Sequence, residues 1–524
     1  SAELILNRQA MASHTFITGS TGTGKSNAVY HLLDEITKNG QTTFLVVEPA
    51  KGEYKNVFGN CTDVQVFGTN PRETPLLRMN PFAFPENIHI LEHIDRLVEI
   101  FNACWPMYAA MPAVLKDAIE RSYQKVGWDL RNSESEKGVF PTFFDLLDIL
   151  PGVIEESHYS KDTQSDYVGA LCTRVKSLTN GIYGSVLCAE DALTDEALFD
   201  RNVIVDLSRV GSMETKSLLM GILVMKLQEY RMCSSGMNSR LRHVTVLEEA
   251  HNLLRKTSAE QSQEGANLQG KSVEMLANAI AEMRTYGEGF IIADQAPGLL
   301  DMSVIRNTNT KIILRLPDEE DRKLVGKSAA LKEAQIDELS KLPLGVAAVY
   351  QNEWPEAVLC KIEAYPMPEN AVYHKPSKMP HEINAEFVFG QLAVGKELEP
   401  LSISEMEQLK LWLKRHETVL KPEDDRYLER VFAGGELDVA KTRKAVFDFF
   451  GGIGTVVDYC AAAKKSLTPR KEFLEQLQGQ YGLKAAAADW VLNSVISMGM
   501  SLNPDAEAVE DLRTNFEQQG GRVL

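Results

Sequence analysis

Long apolar runs are missing from this 524-residue chain, and no stretch approaches the ~20 consecutive apolar residues that span a bilayer. The opening SAELILNRQAMASH has no basic segment leading into an apolar one, so it does not read as a secretory leader, and a cytoplasmic, membrane-free protein is expected. Cysteine is sparse. The seven (Cys61, Cys104, Cys172, Cys188, Cys233, Cys360, Cys460) are scattered, with no CxxC pair and no Cys/His cluster, which excludes a disulfide framework and a structural zinc site. A basic excess is lacking too: 55 Lys and Arg face 73 Asp and Glu, a formal charge of -18. The surface as a whole repels nucleic acid, so any contact with DNA must run through a local basic strip such as a channel lining. Repeats of fixed period and low-complexity tracts are also absent. What is present, 44% hydrophobic and 24% charged residues, is the composition of a globular protein. The length suggests roughly two to four domains.

The first two thirds alternate short β-rich runs with helical stretches. Candidate strands are His14–Thr18, Thr43–Val47, Val64–Phe67, Val203–Asp206, Val244–Leu247, Phe290–Ala293, Ile312–Leu316 and Val346–Tyr350. Most are apolar throughout rather than alternating, the mark of strands covered on both faces of a parallel α/β sheet. Helices such as Ser26–Lys38 and Lys216–Arg231 supply the crossovers. Between residues 81 and 185 the strand signals stop, and ILEHIDRLVEIFNACW and PAVLKDAIERSYQKV carry the 3.6-residue apolar period of a helical insertion. The expected organisation is a RecA-like core in two parts (1–80 and 186–364), an insertion (81–185), a Pro-rich linker (365–384) and a C-terminal helical region (385–524).

HTFITGSTGTGKSNAVYHLL joins an apolar strand, a G-x-x-x-x-G-K-S loop and an amphipathic helix. Gly19, Gly22 and Gly24 let the backbone of Ser20, Thr21, Thr23 and their neighbours turn its N–H groups inward onto phosphate oxygens. The helix that follows adds its positive end, through Lys25, Ser26 and Asn27. Lys25 is suited to the β- and γ-phosphates and the Ser26 hydroxyl to Mg²⁺. ATP with Mg²⁺ is therefore the expected ligand.

Such a loop needs carboxylates on a neighbouring strand. In RHVTVLEEAH the strand ends on Glu248 and Glu249, at the edge that faces the ligand crevice of an open α/β sheet. Glu248 is placed by the metal and Glu249 as the base or water-positioning group. AEMRTYGEGFIIADQAPG adds Arg284 before a buried strand and Gln295 after it. A glutamine there can orient water, and an arginine at the edge can reach a phosphate in another subunit. Glu53, in VVEPAKGEY, is a further candidate.

In this order GSTGTGKSN, VVEPAKGEY, PLLRMNPF, VIVDLS, VTVLEEAHNLL, MRTYGEGFIIADQAPGLLD and IRNTNTKIILRLPDEEDRKLVG resemble the HerA family, part of the HerA/FtsK group of hexameric, RecA-like DNA translocases. The resemblance covers roughly residues 1–363. It implies ATP sites between the subunits of a ring, with Lys25, Ser26, Glu248, Glu249 and Gln295 on one side. Arg284 then matches the arginine finger that acts on the adjacent subunit's nucleotide, with Arg315 as the runner-up. The family's usual Asp at the first acidic position is Glu248 here, one methylene longer. Family members also usually carry a β-barrel ahead of the P-loop strand, which in this chain begins at His14.

A translocase grips the DNA backbone with loops in a central pore. RKTSAEQSQEGANLQGKSVE, with Arg255, Lys256 and Lys271, and SRVGSMETK, with Arg209 and Lys216, are the candidate loops. The C-terminal TPRKEFLEQLQGQYGLKAAAADWVLNSVISMGM has a helix-turn-helix outline, but its second helix lacks the cations and donors of a groove reader, so bundle packing is expected, with Trp490 and Val491 in the core. Three functions fit the sequence. The first is an ATP-driven translocase or helicase on duplex DNA, a hexamer beside a nuclease or other effector. The second is a conjugation or secretion ATPase of the same superfamily. The third is an ATP-binding ring that assembles and activates an effector, such as a sirtuin-type NADase, in the antiviral defence to which bacterial HerA-like proteins often belong.

Overall fold

The computed structural model describes residues 3–375, apart from 39, 41, 109, 136–137, 190–191, 258–264 and 368–370. Further on it describes 426–427, 430, 438–450, 452–466, 468–481, 485–503 and 505–523. The chain forms two compact units, residues 1–134 with 140–375, and residues 135–139 with 376–524.

The first unit is built on strands β1 (Thr15–Thr18), β2 (Thr43–Glu48), β3 (Val64–Gly68), β6 (Asn202–Asp206), β7 (His243–Glu248), β8 (Glu288–Asp294), β9 (Thr310–Ile313), β10 (Val346–Gln351) and β11 (Val358–Lys361). Two-residue strands β4 (Trp128–Asp129) and β5 (Glu134–Ser135) stand apart from this sheet. The order is β11-β10-β9-β1-β8-β7-β2-β6-β3. All neighbours run parallel except β10 against β9 and β11 against β10. β1, β6, β7 and β8 are buried along their whole length, as unbroken apolar runs require.

The strand expected at Ile312–Leu316 is displaced to Thr310–Ile313. Leu314 and Leu316 are buried for another reason: this stretch runs beneath the phosphate loop, where the Arg315 carbonyl accepts from Ser20 N–H at 3.0 Å. β11 was not expected at all, because it is a short edge strand whose Val358 and Leu359 are exposed.

Between β3 and β6 the chain is mainly helical, including Ile90–Cys104, Met111–Lys125 and Phe143–Glu156. The last opens with a capping box in which Thr142 and Asp145 satisfy each other's backbone N–H groups. These helices add no separate core, since Leu97, Phe101, Leu115 and Leu146 join Leu45, Val205 and Leu247 of the strands in one apolar cluster. The opposite face of the sheet is covered by the helix Lys25–Thr37 through Val29, Leu33 and Ile36.

The beginning of the expected linker is packed on the first unit. Asn27 Nδ2 donates to the Glu363 carbonyl at 2.8 Å and its Oδ1 accepts from Tyr365 N–H at 2.7 Å. Tyr373 is buried, with its N–H on Asn56 Oδ1 at 3.0 Å. Residues 376–384 of the linker, and the helical stretch proposed at 403–420, lie outside the described residues.

Among its described residues the second unit contains the helices Val439–Phe449, Gly452–Ala463, Pro469–Tyr481, Ala485–Leu502 and Ala506–Gln518. They pack around Phe447, Phe450, Tyr459, Leu492, Ile496 and Phe516. Val491 is in this core, whereas the Trp490 side chain lies outside the described residues.

Candidate functional site

A cleft of about 770 Å³ opens at the carboxyl ends of the parallel strands. Thr21, Gly22, Gly24, Lys25, Ser26 and Asn27 line it on one side, and Glu248, Glu249, His251 and Gln295 on another. Gly24 caps the helix Lys25–Thr37 at φ 107° and Gly22 sits at φ 76°, both in the left-handed region where a side chain is strained. Gly19 is required by space: a Cβ there would lie 2.6 Å from Thr23 Oγ1 and 2.8 Å from Leu314 Cβ. Thr23 Oγ1 closes the loop on the Ser20 carbonyl at 2.7 Å. Lys25 Nζ donates to the Gly19 carbonyl at 2.8 Å, and burial lowers its pKa against the pull of Glu249 and Glu248.

Glu248, the last residue of β7, is buried and accepts from the Tyr54 hydroxyl. Glu249 follows in the left-handed region (φ 45°), an uncommon conformation for a non-glycine residue. Its Oε2 is buried without a hydrogen-bond partner, and burial together with Asp294 raises its pKa. Gln295, just past β8, accepts from Thr21 Oγ1 at 2.8 Å and so ties the tip of β8 to the phosphate loop.

Other candidates are placed differently. Glu53 is exposed, 3.7 Å from Lys51; from that segment it is Glu48, at the end of β2, that enters the cleft. Glu48 accepts from the backbone N–H of Glu53 at 2.7 Å and of Tyr54 at 3.1 Å. Arg284 is exposed in the short turn Met283–Tyr286 before β8, at the opposite end of that strand from Gln295, so within one chain it does not line the cleft. Arg315 is exposed beside the loop and touches Ser20 through its carbonyl.

Of the cations assigned to DNA, Lys216 lines the cleft and Arg209 is paired with Glu73 at 2.6 Å. Arg255 and Lys256 are exposed, but their backbone is pinned: Arg255 bridges to Leu300, and Lys256 N–H donates to Leu299 at 2.8 Å. Lys271 is exposed on the helix Gly265–Glu282, which takes up the second half of the expected loop; its buried Val273, Leu276, Ala277 and Ile280 have helical spacing. Residues 258–264 of that loop lie outside the described residues.

Sequence reasoning missed Glu48, Tyr54, His251 and Asp294. Glu48 and Glu249 both end apolar runs, so position alone marked the first as well as the second. His251 and Asp294 become visible as a pair only when β7 and β8 are neighbours.

Burial, with a further push from surrounding carboxylates, raises both Glu48 and Glu248 to about 7. The unfolded chain releases these protons near the ordinary 4.5, so between 4.5 and 7 the folded state binds more protons and its stability falls as pH rises. Glu248→Gln is therefore expected to be more stable than the wild type at pH 8, by on the order of 2 kcal/mol. The gap should shrink toward pH 5. Thermal unfolding of both proteins without nucleotide checks this, and a gap that widens toward pH 5 contradicts it.

The arrangement can bind a polyphosphate, since backbone N–H groups, a helix N-terminus and a lysine converge. It can also take a divalent cation. Glu48 and Glu248 are buried carboxylates bonded to N–H and O–H donors rather than to cations, and Glu249 presents an unpaired oxygen.

Residues 2–225 match the family profile described as "Helicase HerA, central domain". The chain is similar to a DNA double-strand break repair helicase HerA of Sulfolobus acidocaldarius, 25% identical over 69% of this chain and 67% of that protein. It is likewise similar to a probable helicase of Methanocaldococcus jannaschii, 22% identical over 70% of this chain and 69% of that one. Among solved structures the fold is like that of VirB4 of Thermoanaerobacter pseudethanolicus, with TM-score 0.50 and 19% identity over 67% of this chain and 90% of that chain. It is also like the plasmid coupling protein TrwB in complex with a non-hydrolysable ATP analogue, with TM-score 0.50 and 15% identity over 71% and 90%. These likenesses support a P-loop ATPase fold with a mostly parallel sheet.

Proposed function

From the premise that this chain belongs to the HerA family, we propose that it hydrolyses ATP in a ring of identical subunits, a hexamer, and uses the energy to move along or unwind duplex DNA threaded through the pore. One observation carries the reading: the phosphate loop, Glu248, Glu249 and Gln295 converge in a single cleft at the carboxyl edge of the sheet.

In this reading the loop N–H groups and Lys25 hold the phosphates. Ser26 and Glu248 hold Mg²⁺, which when bound neutralises charge on the β- and γ-phosphates. Glu249 accepts the proton of the attacking water, and Gln295, fixed by Thr21, orients that water. Arg284, too far along β8 to serve its own cleft, stabilises charge on a neighbour's nucleotide. Arg255, Lys256 and Lys271 are the cations assigned to the DNA backbone, and a nuclease or other effector enzyme completes the assembly. Among the described residues no helix is long and apolar enough to cross a membrane.

The test is ATP hydrolysis with and without linear duplex DNA, with Lys25→Ala as the background. Hydrolysis should be abolished in the variant and stimulated by duplex DNA in the wild type. A wild-type rate indifferent to DNA, but altered by an added effector protein, would replace the motor with an ATP-binding scaffold.

A further inference from the structure

Beyond Glu249 the short turn Ala250–Asn252 folds the chain back over the tip of β8. That return sets His251 on Asp294, which is fully buried. Asp294 Oδ2 accepts from the His251 backbone N–H at 2.8 Å and from its Nδ1 at 2.9 Å, while Oδ1 accepts from Ala296 N–H at 2.9 Å. A carboxylate only accepts, so Nδ1 carries a proton and Nε2 is the ring nitrogen left for the cleft that His251 lines. Two backbone N–H groups already hold Asp294, so the turn does not depend on the imidazole. The side-chain bond instead fixes the direction of the ring.

We propose that the Asp294–His251 pair reads the terminal phosphate: the buried carboxylate orients the imidazole so that Nε2–H donates to a γ-phosphate oxygen, and the cleft thereby distinguishes a nucleoside triphosphate from a diphosphate. The proposal rests on the reading that this cleft binds ATP. The Asp294 bond and the charge of Glu249, whose Oε2 lies 3.5 Å from Nδ1, raise the pKa of His251, which favours the doubly protonated ring that this donation needs. The pair links the two strand ends on which the catalytic carboxylate and Gln295 stand. Loss of the γ-phosphate therefore removes a contact shared by β7 and β8.

The experiment is equilibrium binding of ADP and of a non-hydrolysable ATP analogue, both with Mg²⁺, to the full chain. The wild type is compared with His251→Ala, His251→Gln, Asp294→Asn and Lys25→Ala. His251→Ala should bind ADP within about twofold of the wild type and lose about 10- to 100-fold in affinity for the triphosphate analogue, the range for a hydrogen bond to a charged group. Asp294→Asn should show the same selective loss, and His251→Gln should recover part of it by offering a donor without the ring. Equal weakening of both nucleotides, or none, in His251→Ala and His251→Gln overturns the proposal while the ATP-site reading stands. A wild type that binds neither nucleotide, indistinguishable from Lys25→Ala, overturns both.

Discussion

Glutamine in place of Glu249 is expected to lower ATP hydrolysis by roughly 10²- to 10⁴-fold and to leave binding of the triphosphate intact. Glutamine keeps the shape and hydrogen-bonding reach of the side chain, but its amide cannot take a proton from water. Glu249 is placed for that task by its backbone: the left-handed φ of 45° turns the chain sharply at the end of β7, and the carboxylate lines the cleft instead of starting a regular helix. Its Oε2 is buried and unpaired, an arrangement that costs stability and that a bound water would relieve. The substitution removes a charge without adding bulk, so folding should be unaffected. Phosphate release measured beside equilibrium nucleotide binding decides the matter. A variant that keeps its rate within tenfold of the wild type shows that Glu249 is not the base and directs attention to Glu48.

A second large effect is expected at the other end of the sheet. Arg231, in the last turn of the helix Met213–Ser234, is fully buried. It donates through Nε to Glu288 Oε2 at 2.8 Å, through a guanidinium nitrogen to Asp200 at 2.7 Å, and to the Phe199 carbonyl. Glu288 also accepts from Thr245 Oγ1 at 2.8 Å and contacts His243 Nδ1 at 2.7 Å. Burial alone would push Glu288 up; His243 and Arg231 overcome it and hold the carboxyl at about 2. Removing one member of such a network leaves an uncompensated buried charge. Arg231→Met is therefore expected to destabilise the protein by about 3–5 kcal/mol, and the double variant with Glu288→Leu by clearly less. Because the folded pKa of Glu288 is depressed, its stabilising contribution is present above the ordinary 4.5 and is lost as pH falls toward 2. Urea midpoints of the wild type and both variants at pH 7 test the first expectation. A double variant as unstable as Arg231→Met would mean that lost packing, not stranded charge, sets the cost.

Much of the site was legible before the structure because it is written locally. The loop from Gly19 to Ser26 is a contiguous run whose glycines answer to backbone angles and a close approach that neighbouring residues impose. Glu248 and Glu249 were legible for a related reason: an unbroken apolar strand followed at once by acids marks the strand end that faces a crevice. The strands β1, β2, β3, β6, β7, β8 and β10 could be read from their apolar runs, because a strand covered on both faces has no solvent side to disguise it.

Where the reading went astray, the cause lay in contacts between residues distant in the chain. Leu314 and Leu316 look like strand residues, yet they are apolar because the phosphate loop lies over them. Lys216 looks like a surface cation on a polar loop and is brought to the cleft by the helix that follows β6. Glu53 looks as eligible as Glu48, and only the turn after β2, closed by two N–H groups on Glu48, decides which carboxylate points inward.

The sequence by itself therefore determined the phosphate loop, the acidic strand end and the α/β alternation, since each depends on residues within one or two turns of one another. The tertiary structure decided which strand ends are neighbours. Placing β8 between β1 and β7 brings Gln295 to Thr21 and His251 to Asp294, pairings separated by 274 and 43 residues. Period and composition carry no record of such pairings, because a hydrogen bond across a sheet depends on strand order, which sterics and burial settle only when the whole core has closed.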